Sequence, residues 1–200
     1  MSSDFVYLAS GSPRRRELLT QIGVPFRVVA VAVDERVRPG EAPAAYVARL
    51  AAAKADAGWE QNREPGGPVL AADTAVVLQG KILGKPSDRR DAMSMLQGLS
   101  GCTHEVLTAV ALRTVRGLQS RTSRSEVTFR GIASAEAQAY WETGEPCDKA
   151  GGYAIQGRAA VFIAALNGSY SGVMGLPLFE TAELLGDAGM AHWLKGPRAS

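Results

Sequence analysis

The run Val69-Leu70-Ala71-Ala72-Asp73-Thr74-Ala75-Val76-Val77-Leu78 reads as a buried strand interrupted by one carboxylate and one hydroxyl. An ionised carboxylate in that setting costs several kcal/mol unless it is neutralised, paired or bound to a metal. A structural role, accepting backbone N–H groups at a strand bend, is the alternative for Asp73. Asp34-Glu35 closes an earlier apolar segment. Brought against Asp73, a second carboxylate could share a divalent cation and leave an oxygen to activate water. Alone, Asp34-Glu35 reads as a solvated strand end. Ser10-Gly11-Ser12-Pro13-Arg14-Arg15 lies between a strand and a helix, where free N–H groups and two arginines make an anion site. A capped helix with solvated arginines accounts for it equally well. Neither this segment nor Gly84-Lys85-Pro86 has the spacing of a Walker A loop. Lys54 and Lys85 could neutralise charge developing on a polyphosphate. Lys54 shares a helical stripe with Val47, Leu50 and Ala51, so it either snorkels to solvent or points into a cleft. Lys85 is held extended by the proline that follows it. In Tyr153-Ala154-Ile155-Gln156-Gly157, the Gln156 amide suits a pyrimidine edge and the glycines allow close backbone approach.

These residues need elements to position them. The pattern predicts a strand over 5–9, Ser12 as N-cap with Pro13 at the first helical position, and a helix over 14–22 stopped by Gly23. A strand over 26–33 follows, then an alanine-rich helix over 42–57 ending near Gly58, and a surface loop over 62–68. After the Asp73 strand come a Gln79-Gly80 turn, a helix over 88–99 capped by Ser87 or Asp88, and long paired strands over 103–114 and 120–130. A helix over 134–143 begins with an incomplete capping box at Ser134, and a last helix runs from about 177 to 185. Strands and helices alternate early and a hairpin intervenes later. This predicts an α/β fold, a mixed twisted sheet with flanking helices around a central cleft.

Composition narrows the function classes. The 22 Lys+Arg against 20 Asp+Glu leave a formal charge of +2, and aromatics are 6% of the chain. That argues against a nucleic-acid binder, which concentrates a basic excess on one face. No apolar stretch reaches the roughly 18–20 residues of a membrane helix. The start of the chain lacks a signal-peptide pattern, and the expectation is a cytoplasmic protein. Cys102 and Cys147 have no metal-binding spacing, and His104 and His192 are the only histidines. Any metal should therefore be a hard cation such as Mg²⁺ or Mn²⁺, held by carboxylates and substrate oxygens.

In order along the chain, nine blocks resemble the Maf family of house-cleaning nucleotide pyrophosphatases. They are Leu8-Ala9-Ser10-Gly11-Ser12-Pro13-Arg14-Arg15, Val33-Asp34-Glu35, Ala53-Lys54-Ala55, Ala72-Asp73-Thr74, Gly84-Lys85-Pro86, Leu99-Ser100-Gly101, Asp148-Lys149-Ala150-Gly151, Tyr153-Ala154-Ile155-Gln156-Gly157 and Val173-Met174-Gly175-Leu176-Pro177. The resemblance implies a Maf or ITPase-like domain over residues 1–200, compact or in two lobes around the cleft. It implies metal-dependent hydrolysis of a nucleoside triphosphate to the monophosphate and pyrophosphate. Asp73 takes the proton-acceptor role, and Ser12, Arg14, Arg15, Glu35, Lys54 and Lys85 line the triphosphate cleft. Glu35 and Asp73 are the expected metal ligands. Arg14, Thr74 and Gln156 match the branch acting on dTTP and UTP, including modified pyrimidine nucleotides. The rival of a different class is a nucleotide-sensing regulator of cell division, which would not need the carboxylate pair. A homodimer is one of the assemblies left open.

Overall fold

The structure is a computed structural model that describes residues 5–62 and 67–190. Residues 63–66 of the expected surface loop, His192 and the tail from residue 191 lie outside the described residues. Three strands are parallel: β1 (Val6–Leu8), β2 (Phe26–Val28) and β3 (Val69–Leu78). β4 (Lys81–Leu83), β5 (Thr103–Thr114), β6 (Gly117–Phe129) and β7 (Ile163–Asn167) join as antiparallel neighbours. The sheet runs β2-β1-β3-β5-β6-β7, with β4 paired to β3. The expected mixed α/β sheet with flanking helices is what forms.

Side-chain alternation along β3 decides which helices cover which face. Ala71, Ala75 and Val77 pack with Leu107, Ala109 and Ala111 of β5 beneath Val47, Ala51 and Ala55 of α2 (Pro43–Gln61). Small residues on both sides let this helix lie close to the sheet. Leu70 and Ala72 face the other way, toward Leu18 and Leu19 of α1 (Pro13–Gln21) and Leu184 and Leu185 of α6 (Leu178–Asp187). A third cluster joins Val76, Val106 and Phe129 to Leu96 and Leu99 of α3 (Arg89–Leu99) and to Tyr140 of α4 (Ser134–Glu142). The short α5 (Tyr170–Met174) ends at Gly175, whose φ of 117° is open to glycine alone at little cost.

β3 is paired to β5 along nearly its whole length, but its other edge is covered only at the ends. β1 reaches Val69 and Leu70, and β4 begins opposite Val76. Between them no described strand pairs with Ala71–Ala75. Leu70 C=O accepts from the Ala9 N–H on this side. By the two-residue alternation, the N–H and C=O of Ala72 and Thr74 turn toward the same gap. Asp73 sits at its centre.

Several boundaries differ from expectation for local reasons. β2 ends at Val28 rather than 33, because β1 ends at Leu8 and leaves it nothing further to pair with. α2 runs through Gly58 to Gln61. A Cβ at Gly58 would come 2.8 Å from Val69 Cγ1, so this glycine serves close packing, while Asn62 closes the helix by donating from Nδ2 to Gly58 C=O (2.8 Å). α4 is capped one residue earlier than expected. The Glu136 carboxylate accepts from Ala133 N–H (2.9 Å), and alanine cannot return the bond. Of the two cap candidates for α3, Asp88 takes the role, accepting from Asp91 N–H. The Gln79-Gly80 turn forms as expected, both residues having positive φ.

His104 lies in the third cluster, packed edge-on against Phe129 and Tyr153, with Nε2 2.8 Å from the Tyr153 hydroxyl. Nδ1 has no partner among the described residues, and burial pushes the imidazole pKa down to about 4. The unfolded chain protonates this histidine below about 6.5, whereas the folded one resists until about 4. In that window the unfolded state binds more protons, so stability falls as pH falls, by up to ~1.4 kcal/mol per pH unit. Urea unfolding across the window should show this slope, and His104→Phe should flatten it. An unchanged slope in the variant would assign the effect to other groups.

Candidate active site

The gap in the β3 edge opens into a cleft of about 560 Å³. Its wall carries the Ser10–Arg15 segment, Glu35, Lys54, Asp73, Lys85 and Asp148, together with the apolar Val76, Leu83 and Met174 and the ring of Tyr153. Within it Lys54, Glu35, Asp73, Arg14 and Arg15 form one charged cluster.

Asp73 is 8% exposed. Lys54, carried by α2 over the same face, reaches Asp73 Oδ1 at 2.7 Å and Glu35 Oε1 at 2.6 Å. The close fit of α2 on the alanine face thus turns Lys54 into the cleft and not toward solvent. Burial raises the Asp73 carboxyl above the usual carboxylate range, opposed by Lys54 and Arg15. The hydrogen bond from Lys54 holds Glu35 below its usual range. α2 also fixes the backbone of the Glu35 segment: Tyr46 donates from its hydroxyl to Glu35 C=O (3.0 Å), and Arg49 donates to Arg36 C=O (3.1 Å). Asp34 turns away and accepts from Arg36 on both oxygens, Nε to Oδ1 (2.9 Å) and Nη2 to Oδ2 (2.7 Å), so Glu35 is the acid of the pair that enters the cleft.

Arg15 is the cross-brace of this cluster. Its Nε donates to Gly175 C=O (2.7 Å), Nη1 to Ser10 Oγ (3.0 Å) and Nη2 to Thr74 Oγ1 (3.3 Å). Burial lowers its pKa to about 10, which leaves the guanidinium charged at neutral pH. Arg14 donates from Nε to Met174 C=O (3.2 Å), so both arginines are aligned by the end of α5. Thr74 is held from behind by Thr108, its cross-strand neighbour, at 3.0 Å between hydroxyl oxygens. Thr108 is also 2.7 Å from Gly172 C=O and has one proton to give. With that proton on the carbonyl, the Thr74 hydroxyl donates to Thr108.

Of the expected site residues, Ser12, Arg14, Arg15, Glu35, Lys54, Asp73, Thr74 and Lys85 all line the cleft. Ser12 caps α1 by backbone position only; its side chain makes no cap bond. Gln156 is not among the lining residues: it is exposed at a turn formed with Ile155. Sequence reasoning assigned nothing to Tyr46 or Thr108, and named Ser10 only within the anion-site segment. Thr108 carried a usable signal, a lone hydroxyl within an apolar strand as Thr74 is within β3. The Tyr46 signal was its place eight residues before Lys54 on α2.

Arg15→Lys retains the charge but cannot span three acceptors. Hydrogen bonds to charged groups are worth about 1.5–3 kcal/mol each, and the variant should lose roughly 2–4 kcal/mol in urea unfolding. Wild-type stability would mean that the three bonds contribute nothing net.

The family model for Maf-like proteins matches residues 5–188. The dTTP/UTP pyrophosphatase of Cupriavidus metallidurans is 52% identical over 197 residues, covering 94% of this chain and 98% of that protein. Proteins of the same name from Alkalilimnicola ehrlichii and Saccharophagus degradans are each 54% identical, covering 94% and 90% of this chain and 96% and 87% of their own. Among solved structures, the Staphylococcus aureus Ham1 protein aligns over 64% of this chain and 72% of its own, at 14% identity and a TM-score of 0.44. The sequence relatives span nearly the full chain, and with the family match they place it plainly: the chain belongs to the Maf family.

Proposed function

We propose that this protein hydrolyses nucleoside triphosphates, dTTP and UTP foremost, to the monophosphate and pyrophosphate. The observation that carries the reading is the buried Asp73 carboxylate, held by Lys54 in a cleft shared with Glu35, Arg14, Arg15 and Lys85. Phosphoryl transfer asks a protein for positioning and charge more than for covalent chemistry. In this reading an Asp73 carboxylate oxygen orients a water and takes its proton. Burial makes Asp73 a stronger base than an exposed aspartate. Arg14, Arg15, Lys54 and Lys85 offset the charge that builds on the phosphate oxygens and on departing pyrophosphate.

The donor set fits a hard divalent cation. Glu35 and Asp73 converge on one point, now taken by the Lys54 ammonium, and one or two carboxylates completed by phosphate oxygens is the arrangement Mg²⁺ favours. Glu35 and Asp73 would hold Mg²⁺ or Mn²⁺, which supplies neutralisation and polarisation of the phosphates when bound.

The names of the sequence relatives support the pyrimidine preference. Arg14 and Thr74 stand inside the cleft. Gln156 stands at an exposed turn, so its part in choosing the base is proposed for the cleft mouth. Action on modified pyrimidine nucleotides, as a cytoplasmic house-cleaning enzyme, belongs to the same proposal.

Pyrophosphate release should be measured from dTTP, UTP, CTP, GTP and a methylated GTP with Mg²⁺ or Mn²⁺. Release from dTTP and UTP is expected; a purine preference would overturn the base assignment, and silence across the panel the activity. Asp73→Asn should lower kcat at least ~100-fold with the circular dichroism spectrum unchanged. Because the ionised carboxylate is the base and burial raises its pKa, kcat/KM should fall as pH drops through a value above that of ordinary aspartate. That acid limb should vanish in Asp73→Asn; its persistence would place the base elsewhere.

A further inference from the structure

We propose that Lys54 is a resident cation that holds the point between Glu35 and Asp73 against a divalent metal, so that metal enters with the nucleotide and not before it. The nucleotide half of this rests on the pyrophosphatase reading; the competition between lysine and metal does not. The ammonium is 2.6 Å from Glu35 Oε1 and 2.7 Å from Asp73 Oδ1. Those are distances at which a metal and an ammonium cannot share the same carboxylate lone pairs. The Lys54 side chain is 13% exposed and that of Asp73 11%, so the lysine is packed in place and is not sampling solvent. Glu35 is 54% exposed and is the partner free to swing away.

Charge explains the order of binding. The charged side chains lining the cleft are Arg14, Arg15, Lys54 and Lys85 against Glu35, Asp73 and Asp148, so the two carboxylates beside Lys54 are already offset. A divalent ion arriving alone would meet carboxylates already compensated and a fixed ammonium between them. A triphosphate brings several negative charges and supplies both the missing ligands and the compensation. Among the described residues, no group of three or more histidine, cysteine, aspartate or glutamate side chains can hold a metal, so the protein offers at most the two carboxylates unaided.

The roles divide accordingly. Before substrate, Lys54 keeps two carboxylates together that would otherwise repel each other, with Asp73 in its ionised form. With substrate, the ammonium turns to phosphate oxygens and releases at least one carboxylate. Lys54 is thus a positioning group as well as a contact for the triphosphate.

The test is Mn²⁺ titration of nucleotide-free protein at neutral pH, followed by the electron paramagnetic resonance signal of free Mn²⁺. Wild type should bind weakly. Lys54→Met should bind at least about tenfold tighter, since a unit charge beside the metal position is gone. Adding Asp73→Asn to Lys54→Met should abolish the gain. Lys54→Gln, which removes the charge and retains hydrogen-bond donors, serves if the methionine variant does not fold, and thermal melts establish which variants do. Mn²⁺ binding by the folded charge-free variant no tighter than by wild type would overturn the proposal. Absence of pyrophosphate release by the wild type, with tighter Mn²⁺ binding by Lys54→Met, would instead count against the activity alone.

Discussion

A carboxylate in the middle of an apolar strand is stable as an ion only if a cation can be brought to it, and much of this architecture serves that requirement. Asp73 is met by Lys54, which comes from the helix lying over the same face of the sheet. The helix can approach because both surfaces are built of small side chains, Ala51 and Ala55 above and Ala71, Ala75, Ala109 and Ala111 below. Gly58 continues the approach past the end of that alanine patch, where its missing side chain makes room for Val69. The alanine content that looks like simple helix propensity is a distance constraint between an ammonium and a carboxylate. Larger residues at these positions would lift the helix and strand the charge.

The arginine end is organised by a different device. Arg15 joins the turn after β1, the middle of β3 and the end of α5 through one guanidinium. These segments are distant in sequence, and no continuous element connects them around the cleft. A planar group with donors in several directions can hold three such pieces in register, whereas a lysine provides a single point of attachment. Arg15 is therefore as much part of the scaffold as of the charged surface. Its neighbour Arg14 is braced only once and is better placed to meet a ligand.

The features legible in the sequence were those set by local pattern. β3 appears over the expected residues because an unbroken apolar run between turn signals leaves little choice, and Asp73 was conspicuous because it violated that run. Asp88 and the Gln79-Gly80 turn follow from chemistry within a few residues. Whatever depended on a distant partner was not legible. The end of β2 is decided by where β1 stops, the place of Gly58 by Val69, and the direction of Lys54 by how α2 rests on the sheet. The bracing of Arg15 depends on a carbonyl 160 residues away. Local pattern could not divide Asp34 from Glu35, since adjacent acids of one charge are separated only by which cation each can reach, and it was the family resemblance that singled out Glu35.

The interrupted edge of β3 has a thermodynamic consequence of its own. Main-chain N–H and C=O groups of Ala72 and Thr74 face a gap in which no described strand completes the ladder. Water can satisfy them while the cleft is open. A molecule that fills the cleft displaces that water, and each amide left without a replacement bond costs about 1–3 kcal/mol. The backbone thus taxes greasy occupants and rewards those that carry their own donors and acceptors. Such discrimination survives any substitution along the strand except proline, because it is written in the polypeptide itself.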